Sequence, residues 1–121
     1  MATVVLVAVG GAFGTLARYG LAGIINNRSH PWGTVAVNVI GSLLLGLMVG
    51  YWGFGAASPG KIALAVGVLG GFTTFSTFAL DTIYLWEKGE ATTAMVTLAV
   101  TVLVGIGAAV VGIIAGRALT S

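Results

Sequence analysis

Apolar residues run along this chain in four long stretches, roughly 3–25, 33–54, 62–86 and 91–116, separated by short polar breaks. Each stretch reaches the length of about 20 residues that a helix needs to cross a bilayer's hydrocarbon core. The pattern predicts an all-α membrane protein: one four-helix transmembrane domain over residues 1–121. The breaks read "NNRSHPW" from Asn26 to Trp32, "GAASPG" from Gly55 to Gly60 and "KGE" from Lys88 to Glu90. Both prolines, Pro31 and Pro59, fall in these breaks, where a missing N–H costs little. Trp32, Tyr51, Trp52, Tyr84 and Trp86 gather near the span ends, as interfacial aromatics do.

Composition sharpens the membrane reading. Hydrophobic residues make up 58% of the chain and charged residues 7%, against about a quarter charged in a soluble domain. The first stretch has no basic segment before it and no small-residue cleavage site, so it is expected to be a retained helix and not a signal peptide. There is no cysteine, which excludes disulfides and thiolate metal sites. The basic balance rests on five Lys and Arg residues and gives no reason to expect nucleic acid as a partner. Glycine, at 20 residues, is about twice its usual share. In lipid, small residues let backbones approach closely, and Gly10-x-x-x-Gly14, Ser42-x-x-x-Gly46-x-x-x-Gly50 and Gly112-x-x-x-Gly116 have that spacing.

Loop charge gives almost no orientation. With four spans, Lys61 and Arg117 fall on one face, and Arg28, Lys88 and a snorkelling Arg18 on the other. Either a weak bias decides a single orientation, or the chain inserts both ways and pairs with itself antiparallel. So short a chain can hardly enclose a pore alone, and a homo-oligomer is expected in both cases.

Polar groups inside the spans are the functional suspects. Asn38 either glues helices together or offers N–H donors to a passing anion. Arg18 is either an interfacial anchor or a cation at a pore mouth. Asp81 is the one carboxylate away from the loop-adjacent Glu87 and Glu90. Thr93, Thr97 and Thr101 recur every four residues, which places three hydroxyls on one helix face. Back-bonding to the preceding turn can also account for them.

The densest signal is "GGFTTFSTF", Gly70 to Phe78, in the middle of the third span. Two glycines followed by Thr73, Thr74, Ser76 and Thr77 are poor helix material. Non-helical backbone at that depth is tolerated only when buried in protein or lining a watery cavity. A helix broken here would free carbonyl oxygens for a cation or N–H groups for an anion. Phe75 and Phe78 share a face on any resumed helix, and the positive rim of a phenyl ring can attract a small hard anion.

These residues resemble the CrcB/Fluc family of fluoride channels. "GGFTTFSTF" is similar to the family's third-helix signature, "GGAFGTLARYG" to its first-helix pattern and "GTVAVNVIGSLLLG" to its second. The resemblance implies an antiparallel homodimer of four-helix subunits inserted in both orientations in the cell membrane. It further implies a third helix broken near the bilayer midplane, two fluoride pathways and a central structural sodium ion. By position, Gly70 and Thr73 would give carbonyl oxygens to the sodium. Phe75 and Phe78 would be the ring-edge phenylalanines, and Ser76, Thr77 and Thr74 the hydroxyls of the pathway. Asn38 would be its asparagine, Arg18 its vestibule arginine, and Thr97 and Thr101 its fourth-helix polar track. The chain departs from the family at Asp81, where Glu is usual, and at Gly105, where the polar track has no hydroxyl.

The function implied is passive export of fluoride: HF enters from an acidic exterior, ionises inside and leaves as the anion. The alternative is a small multidrug-resistance-type proton-coupled antiporter of similar length. That reading wants a carboxylate in the first helix, and residues 3–25 contain none. A non-transporting packing subunit would have no use for the polar signature. No enzymatic activity is expected.

Overall fold

A backbone in hydrocarbon must satisfy its own hydrogen bonds, and the helix is the local way to do so. The computed structural model describes residues 1–26, 30–53 and 58–121, and among these it contains four helices long and apolar enough to cross a membrane. They are Ala2–Ile25, Trp32–Trp52, Pro59–Glu87 and Ala91–Ala118. Arg28, the expected end of the second span at Phe54, and residues 55–57 of the expected loop lie outside the described residues.

Local chemistry sets the helix ends. Asn26 closes the first helix, its N–H bonding Ala22 O, and its side-chain oxygen accepts from the N–H groups of Gly33 and Thr34 at 2.6 and 3.3 Å. One residue thus ends one helix and caps the next. The third helix starts before the apolar run, at Pro59. Ser58 is its N-cap, accepting from Lys61 N at 3.3 Å, and proline suits the first helical position. The turn into the fourth helix uses Gly89 at φ 87°, a left-handed conformation that glycine adopts without a Cβ penalty, while Glu90 N returns to Leu85 O at 2.8 Å. Two aromatic span ends hold cations: the Lys61 ammonium lies 5.2 Å from the Trp52 ring and that of Lys88 5.6 Å from Tyr84.

Packing follows the glycines. The second helix lies along the C-terminal part of the fourth, Gly105–Ala118, in the most extensive contact of the fold. There the backbones meet: Cβ atoms on Gly46 and Gly50 would drive into the carbonyls of Ala109 and Ile113. Cβ atoms on Gly112 and Gly116 would strike those of Leu43 and Leu47. The first helix packs the same way on the opening part of the third, where a Cβ on Gly10 would stand 2.8 Å from Ala63 O and one on Gly67 2.9 Å from Val7 O. Lipid offers helices no hydrophobic incentive to associate, so this close fit supplies the dispersion that holds them. The second helix is the central one, with 33% of its most apolar window buried against 11% for the first and fourth.

The third helix changes neighbours partway. Its opening part, residues 59–72, runs on the first helix, and Phe75–Glu87 packs instead on Ala91–Ala99 of the fourth. Between them Thr73 and Thr74 are extended, at φ −91°, ψ 156° and φ −151°, ψ 118°. Wide, π-helical turns occupy Ala63–Leu69 and Val100–Val104, so both helices are also locally overwide beside this interruption.

Filling the seam tests it. Gly46→Val forces a side chain into the Ala109 carbonyl and is expected to cost about 1–3 kcal/mol or more of stability. Gly20→Ala, where a Cβ meets nothing within 4 Å, should leave stability unchanged. Thermal unfolding of the detergent-purified protein distinguishes the two.

Candidate functional site

Interrupting a helix leaves its last carbonyls and first N–H groups without partners. Here four of them are met by specific side chains. The Asn38 amide reaches from the second helix to the backbone of Thr74: its nitrogen donates to Thr74 O at 2.9 Å and its oxygen accepts from Thr74 N at 2.8 Å. A primary amide presents a donor and an acceptor side by side, as a peptide does, so it pairs with this residue as a β-strand neighbour would. The Arg18 Nε donates to Gly71 O at 3.1 Å, placing a cation at the C-terminal end of the opening half-helix. Thr74 then caps Phe75–Glu87, its hydroxyl accepting from Thr77 N at 3.2 Å.

The clamp has a consequence for two carbonyls. In an unbroken helix Thr74 N would bond Gly70 O and Thr77 N would bond Thr73 O. The first N–H is held by Asn38 and the second by Thr74 Oγ1. Gly70 and Thr73 therefore keep carbonyl oxygens without their helical donors, and both residues line the same cleft. Of the glycine pair, Gly71 is required for packing, since its Cβ would stand 2.8 Å from Gly11 O, whereas one on Gly70 would meet nothing nearer than Ala65 O at 3.7 Å. Among the described residues no group of three or more His, Cys, Asp or Glu could hold a metal ion. A cation at this place would rely on uncharged oxygens, and the Gly70 and Thr73 carbonyls fit a hard monovalent ion.

Two clefts flank the clamp, and Thr74 lines both. The larger, about 480 Å³, runs between the second, third and fourth helices and is bordered by Asn38, Ser42, Thr73, Phe75, Phe78 and Thr101. Phe75 and Phe78 meet edge-on there, ring centroids 5.9 Å apart at 64°. Phe78 is buried, but Phe75 is 78% exposed on the single chain. The Thr101 hydroxyl is buried with no hydrogen-bond partner among the described residues. Such an orphan is costly unless something in the cleft completes it. The smaller cleft, about 220 Å³, gathers Arg18, Thr34, Thr74 and Thr77 on the other side of the clamp.

The residues singled out in the sequence are thus not all brought together. Asn38, Thr74, Phe75, Phe78 and Thr101 share the larger cleft, and Arg18, Thr74 and Thr77 the smaller. Ser76 is exposed and lines neither. Thr97, at 2% exposure, turns its hydroxyl back to Thr93 O and Ala94 O at 3.0 and 3.1 Å and borders neither cleft. Thr97 sits on the α-helical part Ala91–Ala99, whereas Thr101 lies within the wide turn Val100–Val104 that follows it. Asp81 takes a hydrogen bond from the Thr34 side chain, and its Oδ2 is buried without a partner among the described residues. Asn26 and Ser42 carried no chemical signal of their own in the sequence: one looked like loop, the other like part of a packing motif.

Removing the clamp tests its weight. Asn38→Ala leaves both the N–H and the C=O of Thr74 unpaired and is expected to lower stability by about 2–6 kcal/mol, each orphan costing about 1–3. Asn38→Asp, when protonated, offers both an acceptor for Thr74 N and a donor for Thr74 O, so at low pH its loss in thermal unfolding should be smaller than that of the alanine variant.

Comparison with known proteins gives a family and several relatives. The family described as CrcB-like protein, Camphor Resistance (CrcB), matches residues 5–113 of the chain. The protein named "Fluoride-specific ion channel FluC" from Nitrobacter winogradskyi is 44% identical over 116 residues, covering 91% of each sequence. Proteins of the same name from Paracoccus denitrificans (42% identical over 120 residues, 97% of this chain and 96% of the relative) and Geobacter metallireducens (43% over 124 residues, 98% and 100%) are also similar. The antiporter alternative receives no support from these relatives. With its four apolar helices, the protein is a multi-pass protein of the plasma membrane and a non-enzyme of the transporter kind. The chain belongs to the CrcB-like protein family.

Proposed function

We propose that this protein is a fluoride-selective channel that exports the anion passively and so relieves fluoride toxicity. The observation that carries the reading is the interrupted third helix clamped by Asn38, with neutral donors and a phenyl edge pair around it. It is supported by relatives named fluoride-specific ion channels. The anion is gathered by Arg18 and the hydroxyls of Thr74 and Thr77, with Ser76 beside them. It then passes Asn38, whose second amide N–H is not used in the clamp, and the rims of Phe75 and Phe78 towards Thr101. Thr97 joins the track by releasing its back-bonds. None of these donors except Arg18 carries charge, so binding can replace hydration without trapping the ion.

The working form in this proposal is an antiparallel homodimer inserted in both orientations, with the third helices broken near the bilayer midplane and a fluoride pathway for each subunit. Phe75 stands 78% exposed on the single chain, and a second copy supplies the cover that its role in a pathway needs. The Gly70 and Thr73 carbonyls of both subunits together hold a central sodium ion. When bound, that ion supplies fixed positive charge and ties the two interrupted helices together.

Liposomes loaded with fluoride or chloride test the reading: fluoride should leave fast and electrogenically while chloride stays, and equal release of both would rule out a selective channel. Phe75→Ile and Phe78→Ile keep bulk but remove the ring edge, and each should cut fluoride flux by about tenfold, equivalent to about 1.4 kcal/mol at the barrier. Full flux in both would sink the ring-edge mechanism. Replacing sodium by a large organic cation throughout purification and assay should lower flux and loosen the dimer in cross-linking; unchanged behaviour would count against the sodium site.

A further inference from the structure

In sequence the fourth helix spaces hydroxyls every four residues at Thr93, Thr97 and Thr101, and the next such position, Gly105, has no side chain. The structure sets another residue opposite that gap. A Cβ on Gly105 would meet nothing nearer than the Ser42 hydroxyl oxygen, at 3.9 Å. One and two turns further along the same pair of helices the seam is shut, with Gly46 against the Ala109 carbonyl and Gly50 against that of Ile113. The seam therefore opens at Ser42, and there both Ser42 and Gly105 border the larger cleft together with the unpartnered Thr101 hydroxyl.

From this we infer that Ser42, on the second helix, supplies the hydroxyl that the fourth helix lacks at Gly105, making Ser42 a direct anion contact in the pathway. The inference rests on the channel reading and adds a residue to it. The Ser42 hydroxyl donates to Asn38 O at 2.8 Å. That carbonyl also has the ordinary helical N–H four residues on as a partner, so the hydroxyl can swing to an anion without orphaning it. A hydroxyl proton rotates to suit its neighbours, and a donor that must leave a local bond binds the ion weakly enough to release it. Gly105 in turn gives Ser42 room to move, since that position opposite its hydroxyl carries no side chain.

Fluoride efflux from liposomes separates this role from packing. Ser42→Ala should lower fluoride flux by about fivefold, the usual scale for one lost hydrogen bond. Adding Gly105→Ser in that background returns a hydroxyl from the fourth helix and should restore flux to within about twofold of the parent. Adding Gly105→Ala, which fills the same gap without an oxygen, should not. A second pair avoids Gly105: Ser42→Thr keeps the hydroxyl and should hold flux, and Ser42→Val, of the same shape, should lose it. Parental flux in Ser42→Ala, equal rescue by the serine and alanine partners, or equal flux in the Thr and Val variants would overturn the inference. Equal release of chloride and fluoride by the parent protein would instead mark the failure of the channel reading beneath it.

Discussion

The structure depends on the pairing of one side-chain amide with one backbone residue. Asn38 meets both the N–H and the C=O of Thr74, and without it an extended residue in the middle of a membrane-crossing segment would leave two strong dipoles facing hydrocarbon. The neighbouring termini are treated the same way, with Arg18 on Gly71 O and Thr74 Oγ1 on Thr77 N. Each bond is worth only about 1 kcal/mol net in water, but the cost of leaving a buried group unmet is larger and falls on every member of the set. The interruption is thus a held local structure that leaves only particular carbonyls, those of Gly70 and Thr73, without their helical donors, and not a defect.

The clamp can form only because the second helix is held at a fixed distance. That distance is set by the glycine seam with the fourth helix, where backbone rests on backbone and allows no slack. The first helix grips the opening part of the third by the same means, through Gly10 and Gly67. With the opening part held on one neighbour and Phe75–Glu87 on another, the chain must shift sideways between them, and Thr73–Thr74 is where it does so. Two clefts open on either side of that shift. Helix packing and the geometry of the proposed pathway therefore share one cause.

The same diversion of donors separates two kinds of chemistry. Holding Thr74 N and Thr77 N elsewhere strips Gly70 O and Thr73 O of their helical partners, giving oxygens suited to a cation. The hydroxyls and ring edges a few residues on suit an anion. In the proposed channel, a sodium ion and a fluoride ion would be served by adjacent residues of one interrupted helix. Neither needs a carboxylate, which accords with a span whose one deep acid, Asp81, is engaged by Thr34.

The four membrane-crossing segments were legible from hydropathy alone, because in lipid a run of apolar residues long enough to span has only the helix open to it. The weak point at Gly70–Thr77 was legible too, since glycine and clustered hydroxyls disfavour helix by local propensity. Ser58 and Pro59 could have moved the start of the third helix earlier, as a cap is a local signal that a hydropathy count passes over. What no reading along the chain could decide was which groups complete each other across helices. Asn38 and Thr74 are 36 positions apart and Arg18 and Gly71 are 53, and the four-residue spacing of Thr97 and Thr101 gave no hint that Thr101 falls within a wide turn. Sequence determined where the chain crosses the membrane and where it is weak, because those follow from each residue's own preference for lipid or helix. Only the tertiary structure decided which donor serves which acceptor, because that depends on distances set by backbones packed against each other.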